Sequence, residues 1–194
     1  MRTLFYAAAF LAMVLLALVG CSEKSQSPVA PIDQSIQEQS SLGKCTITPV
    51  TVNLHYPVGI LDPGVVKLVG RKWILKNVVV AETLMTTNEL VTGKMIHSLS
   101  AVMDKNTGEG PVWGTYTLTN AGSGVWKGTY TGWRSKMPGS DTLFTLPLKL
   151  FGHGESGNVQ GMKLFSNDVI TAWGTPPVGW YGSGEGYIKS RGHH

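Results

Sequence analysis

The stretch LKLFGHGESGNVQGMKLF, from Leu148 to Phe165, gathers residue types from which chemistry is made. His153 and Glu155 lie two apart, so in an extended chain they share a face. An imidazole beside a carboxylate can do general acid–base work or help hold a metal. The same pair can equally be two solvated residues at a hairpin tip. Gly152, Gly154 and Gly157 spell G-x-G-x-x-G, the spacing of a dinucleotide-binding loop. Elsewhere Glu82 interrupts an apolar run and His97 is placed to flank it. A carboxylate turned into a core is a site candidate, whereas one on an outer sheet face is not. Glu82, His97, His153 and Glu155 are therefore the catalytic candidates. His55 has no partner visible in the sequence, and His193 and His194 end the chain. H-E-x-x-H and paired-cysteine spacings are absent, so neither a metal site nor a cofactor is expected.

Aromatic residues form the other candidate set. The chain has six Trp. Trp113, Tyr116, Tyr130, Trp133, Trp173 and Trp180 are the candidate ligand-binding residues. Small barrels can hold one ligand in the mouth, in pockets that are mostly apolar. Either Trp113 or Trp126 is expected to pack the interior instead. The segment AWGTPPVGWYG is either a plug over a barrel end or the rim of a binding site.

These residues must be positioned by strands. After Gly43 apolar residues alternate between turn signals, with no convincing helical stripe. Strands are expected over 65–76, over 78–86, within KMIHSLSAVMD, and over 184–190. VWGTYT and VWKGTYT, joined by NAGSG, read as a hairpin. On its first strand Trp113, Thr115, Thr117 and Thr119 face one way and Gly114, Tyr116 and Leu118 the other. On its second, Trp126, Gly128, Tyr130 and Gly132 oppose Lys127, Thr129, Thr131 and Trp133. Alternation also flanks the G-x-G-x-x-G glycines on both sides. A dinucleotide loop must open a helix, whose N-terminus holds the pyrophosphate, so these glycines read as hairpin glycines. The fold class expected is all-β: a single antiparallel, closed, roughly eight-stranded β-barrel.

The ends read differently. Arg2 precedes an uncharged apolar run from Leu4 to Val19 that closes on Leu18-Val19-Gly20-Cys21. This run is short for a membrane span and has the layout of an export signal. It resembles a bacterial lipobox, which makes Cys21 the lipidation site and residues 1–20 a lipoprotein signal peptide. Residues 21–43 are rich in Ser, Gln and Pro and read as a flexible tether with a reach of roughly 25 Å. Residues 44–194 form the barrel domain. Cys45 opens an alternating stretch and reads as a small buried residue. The formal net charge is +4; the lysines look scattered, so no nucleic-acid partner is expected. The bilayer is the expected partner through acylated Cys21. Ser22 after the cysteine points to an outer membrane or cell surface where a cell has two membranes.

GVWKGTYTGW, GHGESGNVQGMKL and GSGEGYIK together resemble exported bacterial barrel proteins with a calycin-like or allene-oxide-cyclase-like layout. The resemblance spans about residues 65–190. Ser156 stands where that pattern has Gly. It implies a barrel and carries over no catalytic residue. The reading that follows is a membrane-anchored, noncatalytic protein binding a small apolar ligand or a partner at a barrel mouth. The alternatives are an isomerase or cyclase by fold analogy, or a cell-surface carbohydrate-binding module using Trp133, Trp173 and Trp180. Oligomeric state is not readable.

Cys21→Ser is expected to abolish acylation. Mass spectrometry of the exported protein, showing unprocessed or released chain without acyl mass, checks it. Acyl mass on the variant counts against the lipobox.

Overall fold

The computed structural model describes residues 45–191. The expectations for residues 1–43, and for His193 and His194, lie outside them. Nine strands follow in order: β1 (Cys45–Asp62), β2 (Val65–Val69), β3 (Lys72–Thr86), β4 (Gly93–Asp104), β5 (Gly110–Asn120), β6 (Val125–Lys136), β7 (Leu143–Ser156), β8 (Lys163–Trp173) and β9 (Gly179–Arg191). The sheet order is β1-β9-β8-β7-β6-β5-β4-β3-β2, and β1 also pairs with β3. That pairing closes eight antiparallel strands into a barrel, with β2 as an extra strand along β3. Closure leaves no edge within the eight.

Two expected boundaries move. The chain reverses at Gly70, whose φ is 58°, and not near residue 77. Asn77 does turn left-handed, with φ 55°, but it forms a bulge where the β3–β4 register shifts between Leu75 and Val78. Its backbone N–H is satisfied by Ser100 Oγ at 3.2 Å, so the strand kinks and continues. The last strand starts at Gly179, five residues earlier than the turn glycines implied.

Inward and outward faces on β5 and β6 follow the sequence alternation. Trp126 is the interior tryptophan, fully buried, while Trp113 faces outward. The interior is filled by a repeated pairing of a large side chain with a glycine on the next strand. Tyr116 lies across from Gly128, Tyr130 from Gly114, Asp168 from Gly184 and Ser166 from Gly186. A Cβ at Gly128, Gly114 or Gly184 would collide with that partner side chain, and one at Gly186 would collide with the backbone beside Ser166. Eight strands enclose little volume, so these tyrosines fit only beside a residue without a side chain.

The G-x-G-x-x-G glycines take their places on these terms. Gly152 leaves room for the Tyr116 hydroxyl, and Gly154 passes against the Val159 carbonyl. Gly157, with φ 69°, opens a single 3-10 turn over Gly157–Val159 that leads into β8. No helix starts there.

Both barrel ends are stoppered. At one, Trp126 donates its indole N–H to the Leu90 carbonyl at 2.7 Å, beside buried Val91 and Val159. Asn120 Nδ2 reaches the same carbonyl at 3.0 Å. At the other end Arg134, 1 % exposed, donates to the carbonyls of Gly108, at 2.6 Å, and Gly174. Its guanidinium stacks 3.4 Å from the centre of the Phe144 ring.

Gly152→Ala should destabilise the barrel by about 1–3 kcal/mol, because the added methyl overpacks the site. The Tyr116 hydroxyl is the near obstacle. In a Tyr116→Phe background the same change should cost at least about 0.5 kcal/mol less. Denaturant unfolding of the four proteins in the cycle checks this; additive costs refute the pairing.

Candidate functional site

The barrel core holds a chain of polar side chains. His55 on β1 sits between two carboxylates: Nδ1 is 2.9 Å from Glu82 Oε1 on β3, and Nε2 is 2.9 Å from Asp168 Oδ2 on β8. Ser166 donates to Asp168 Oδ1 at 2.5 Å, and the Trp180 indole N–H donates to Glu82 Oε2 at 3.1 Å. All four carboxylate oxygens therefore have a donor. His97 Nε2 lies 3.7 Å from Glu82 Oε2, and its Nδ1 meets the Tyr130 hydroxyl at 2.9 Å.

Burial alone would strip the proton from His55. The hydrogen bonds and charges of Asp168 and Glu82 outweigh it and raise the pKa to about 9, so His55 is an imidazolium at neutral pH. Desolvation likewise pushes Glu82 up, but the His55 hydrogen bond and charge bring it below its usual range. His97 is the reverse case. Desolvation holds it below its usual value, so it stays neutral. One cation thus faces two anions, and donors from Ser166 and Trp180 spread the remaining negative charge.

This set does not form a reaction chamber. His55, Glu82, His97 and Asp168 are each at most 7 % exposed. The enclosed space beside Tyr116, Ser166 and Asp168 is about 10 Å³, roughly the volume that admits one water. Burial pushes the Tyr116 hydroxyl above its usual pKa, and that hydroxyl has no hydrogen-bond partner among the described residues.

Of the four catalytic candidates, Glu82 and His97 meet inside the barrel. His153 and Glu155 meet each other outside it, at 3.1 Å, with side chains 63 % and 42 % exposed. Lys127 Nζ is 2.9 Å from Glu155 and, by its hydrogen bond, lowers the Glu155 pKa. The two pairs never converge. His55, with no partner visible in the sequence, is the centre of the network. Asp168 and Ser166 were missed. The inward phase of β8, read on from Leu164 through residues 166, 168 and 170, is the signal that finds them.

The ligand-binding candidates also part company. Tyr116 and Tyr130 are buried, and Trp180 is turned inward onto Glu82 and edge-on to His97. Trp133 and Trp173 are exposed, and the Trp173 ring is tilted 44° to Tyr181. Trp133, Trp173 and Trp180 therefore build no common platform.

Trp113 does border a concave site, on the outer barrel wall. Ser98, Thr115, Thr129 and Phe151 stand side by side on β4 to β7, and Ser100, Trp113 and Thr131 form the next row. Between them lies a groove of about 410 Å³, closed at one side by the bulge at Asn77. Trp113 and Phe151 are 44 % and 47 % exposed and wall it. Its lining carries no charged side chain. The Phe151 row continues onto Phe165, edge-on at 5.6 Å, and Tyr187, stacked on Phe165 at 5.0 Å. Comparison with protein-family models, curated proteins and solved structures finds no match.

Stability should depend on pH through the network. His55 binds its proton more tightly when folded, so its contribution is complete below pH 6.5 and is lost as pH rises to about 9. That interval corresponds to about 3 kcal/mol. Glu82 contributes above its ordinary value of 4.5 and loses the contribution as pH falls below it. His97, held below its ordinary value of 6.5, adds a contribution that is lost as pH falls below 6.5, so thermal unfolding is expected to peak near pH 6.5. Asp168→Asn should cost about 3–5 kcal/mol and flatten the alkaline limb; an unchanged limb refutes the assignment.

Proposed function

We propose that this chain is an exported, lipid-anchored, noncatalytic binding protein whose ligand lies on the outer barrel wall. The ligand class is a neutral saccharide. The observation that carries this is the uncharged groove between Trp113 and Phe151. Its hydroxyls come from Ser98, Thr115, Thr129 and Thr131 and its amide from Asn77. A sugar ring has apolar C–H faces and a hydroxyl rim. Aromatic walls suit the first and threonine hydroxyls the second. The volume is in the range of small-molecule sites. The anchor rests on the lipobox residues around Cys21, and an outer-membrane or cell-surface location on Ser22.

Two other readings have less behind them. A small apolar ligand inside a barrel mouth needs space, and both ends are filled by side chains. Catalysis by Glu82 and His97 needs a substrate to reach residues that the barrel seals off. The carbohydrate reading thus keeps its ligand class but moves from Trp133, Trp173 and Trp180 to Trp113 and Phe151.

Titration calorimetry with neutral oligosaccharides, chosen from a glycan array, checks the site. Trp113→Ala and Phe151→Ala should each weaken binding at least tenfold, while Tm stays within about 2 °C, as expected for exposed side chains. Binding unchanged in both variants moves the ligand elsewhere. Saturable uptake of hydrophobic fluorophores without any sugar binding supports the barrel-mouth reading instead.

A further inference from the structure

A second surface stands apart from the groove. The end of β1 and the whole of β2 run as one ribbon along β3, paired from Pro57↔Glu82 to Val69↔Lys72. Ile60, Leu61, Val65, Val66, Leu68 and Val69 lie on this ribbon and are between 41 % and 61 % exposed. Every residue of β2 is exposed, and the strand pairs on one side only, with β3. By strand alternation Val65 and Val69 share a face with Lys67, and Val66 and Leu68 take the other, so the ribbon exposes apolar side chains on both faces. Scattered exposed aliphatics are ordinary, but this many on one short ribbon mark an interaction surface.

Charge identifies the partner. Lys67, Arg71, Lys72 and Lys76 are exposed on the same hairpin, and Lys105 joins them where its N–H binds the Arg71 carbonyl at 2.7 Å. Asp62 and Asp104 are the acidic residues alongside, the latter 3.9 Å from Arg71. The lysines that look scattered in the sequence are gathered here by the fold. Trp73, partly buried, stands across from Leu68, and Lys67 sits among the aliphatics rather than at their edge. Aliphatic side chains mixed with lysines suit a charged interface better than the charge-depleted core of a protein–protein hot spot. A second copy is also disfavoured: Lys67 sits at the centre of β2, so two-fold edge pairing would set lysine against lysine.

We infer that the β1–β2–β3 ribbon docks on an anionic lipid bilayer, with its aliphatic side chains at the headgroup–acyl boundary and its basic residues on lipid phosphates. Docking is shallow, because the unpaired N–H and C=O groups along β2 cannot enter hydrocarbon. Binding of this kind combines buried apolar area with attraction to anionic lipids and weakens with salt. The contact is independent of the saccharide groove and of acylation at Cys21.

Hydrogen exchange on the full-length chain bound to vesicles tests this at the residues concerned, whatever else holds the protein there. Two vesicle compositions are compared, pure phosphatidylcholine and phosphatidylcholine with a third of phosphatidylglycerol. Amides of Val65–Val69 should exchange at least fivefold more slowly on the anionic vesicles. Half-molar salt should remove the difference, and so should the triple variant Lys67→Glu, Arg71→Glu, Lys72→Glu. Equal exchange on the two vesicles overturns the proposal for the wild type alone, without recourse to the variant. Slowing that appears without vesicles and grows with protein concentration also overturns it, in favour of self-association through β2.

Discussion

A protonated histidine held between two carboxylates in the core is the constraint on which the rest of the barrel depends. Taking three charges out of water is costly unless every partner is in place. His55, Glu82 and Asp168 meet that condition only because β1, β3 and β8 are held in one register. Trp180 and Ser166 then saturate the outer oxygens. A slip of one residue on any of these strands would turn the charged side chain to the opposite face. The network therefore adds to the register that the alternating buried faces of these strands already favour.

Filling the remaining volume is a matter of reciprocity. Two tyrosines, an aspartate and a serine each stand against a glycine on the next strand. Glycine in a strand is unfavourable by itself. Here the cost is offset by burying a large or charged neighbour. The interior is so occupied, both ends are plugged by Arg134 and Trp126, and the groove beside Trp113 lies on the outer wall.

Much of this was legible before the coordinates. Alternation on β5 and β6 separated the two faces correctly without saying which points inward, and the strands flanking Gly152, Gly154 and Gly157 removed the nucleotide reading. What one strand's pattern cannot carry is the register between strands. His55 looked isolated because its partners lie 27 and 113 residues away. The groove depends on four strands aligning Ser98, Thr115, Thr129 and Phe151. The strands expected over 65–76 and 78–86 put a break at residue 77, whereas Asn77 is a bulge tied to Ser100 and Gly70 makes the reversal.

The separation of His55 from Asp168 has a consequence for how the chain reaches its fold. Until β8 is available, His55 and Glu82 lack the third member of their set, and the sheet cannot close. Partial chains can form the hairpins between consecutive strands, but closure and the His55–Asp168 contact span most of the domain. Long loop closures slow folding in proportion to their entropy cost. The barrel should thus close late, only after its last strands arrive.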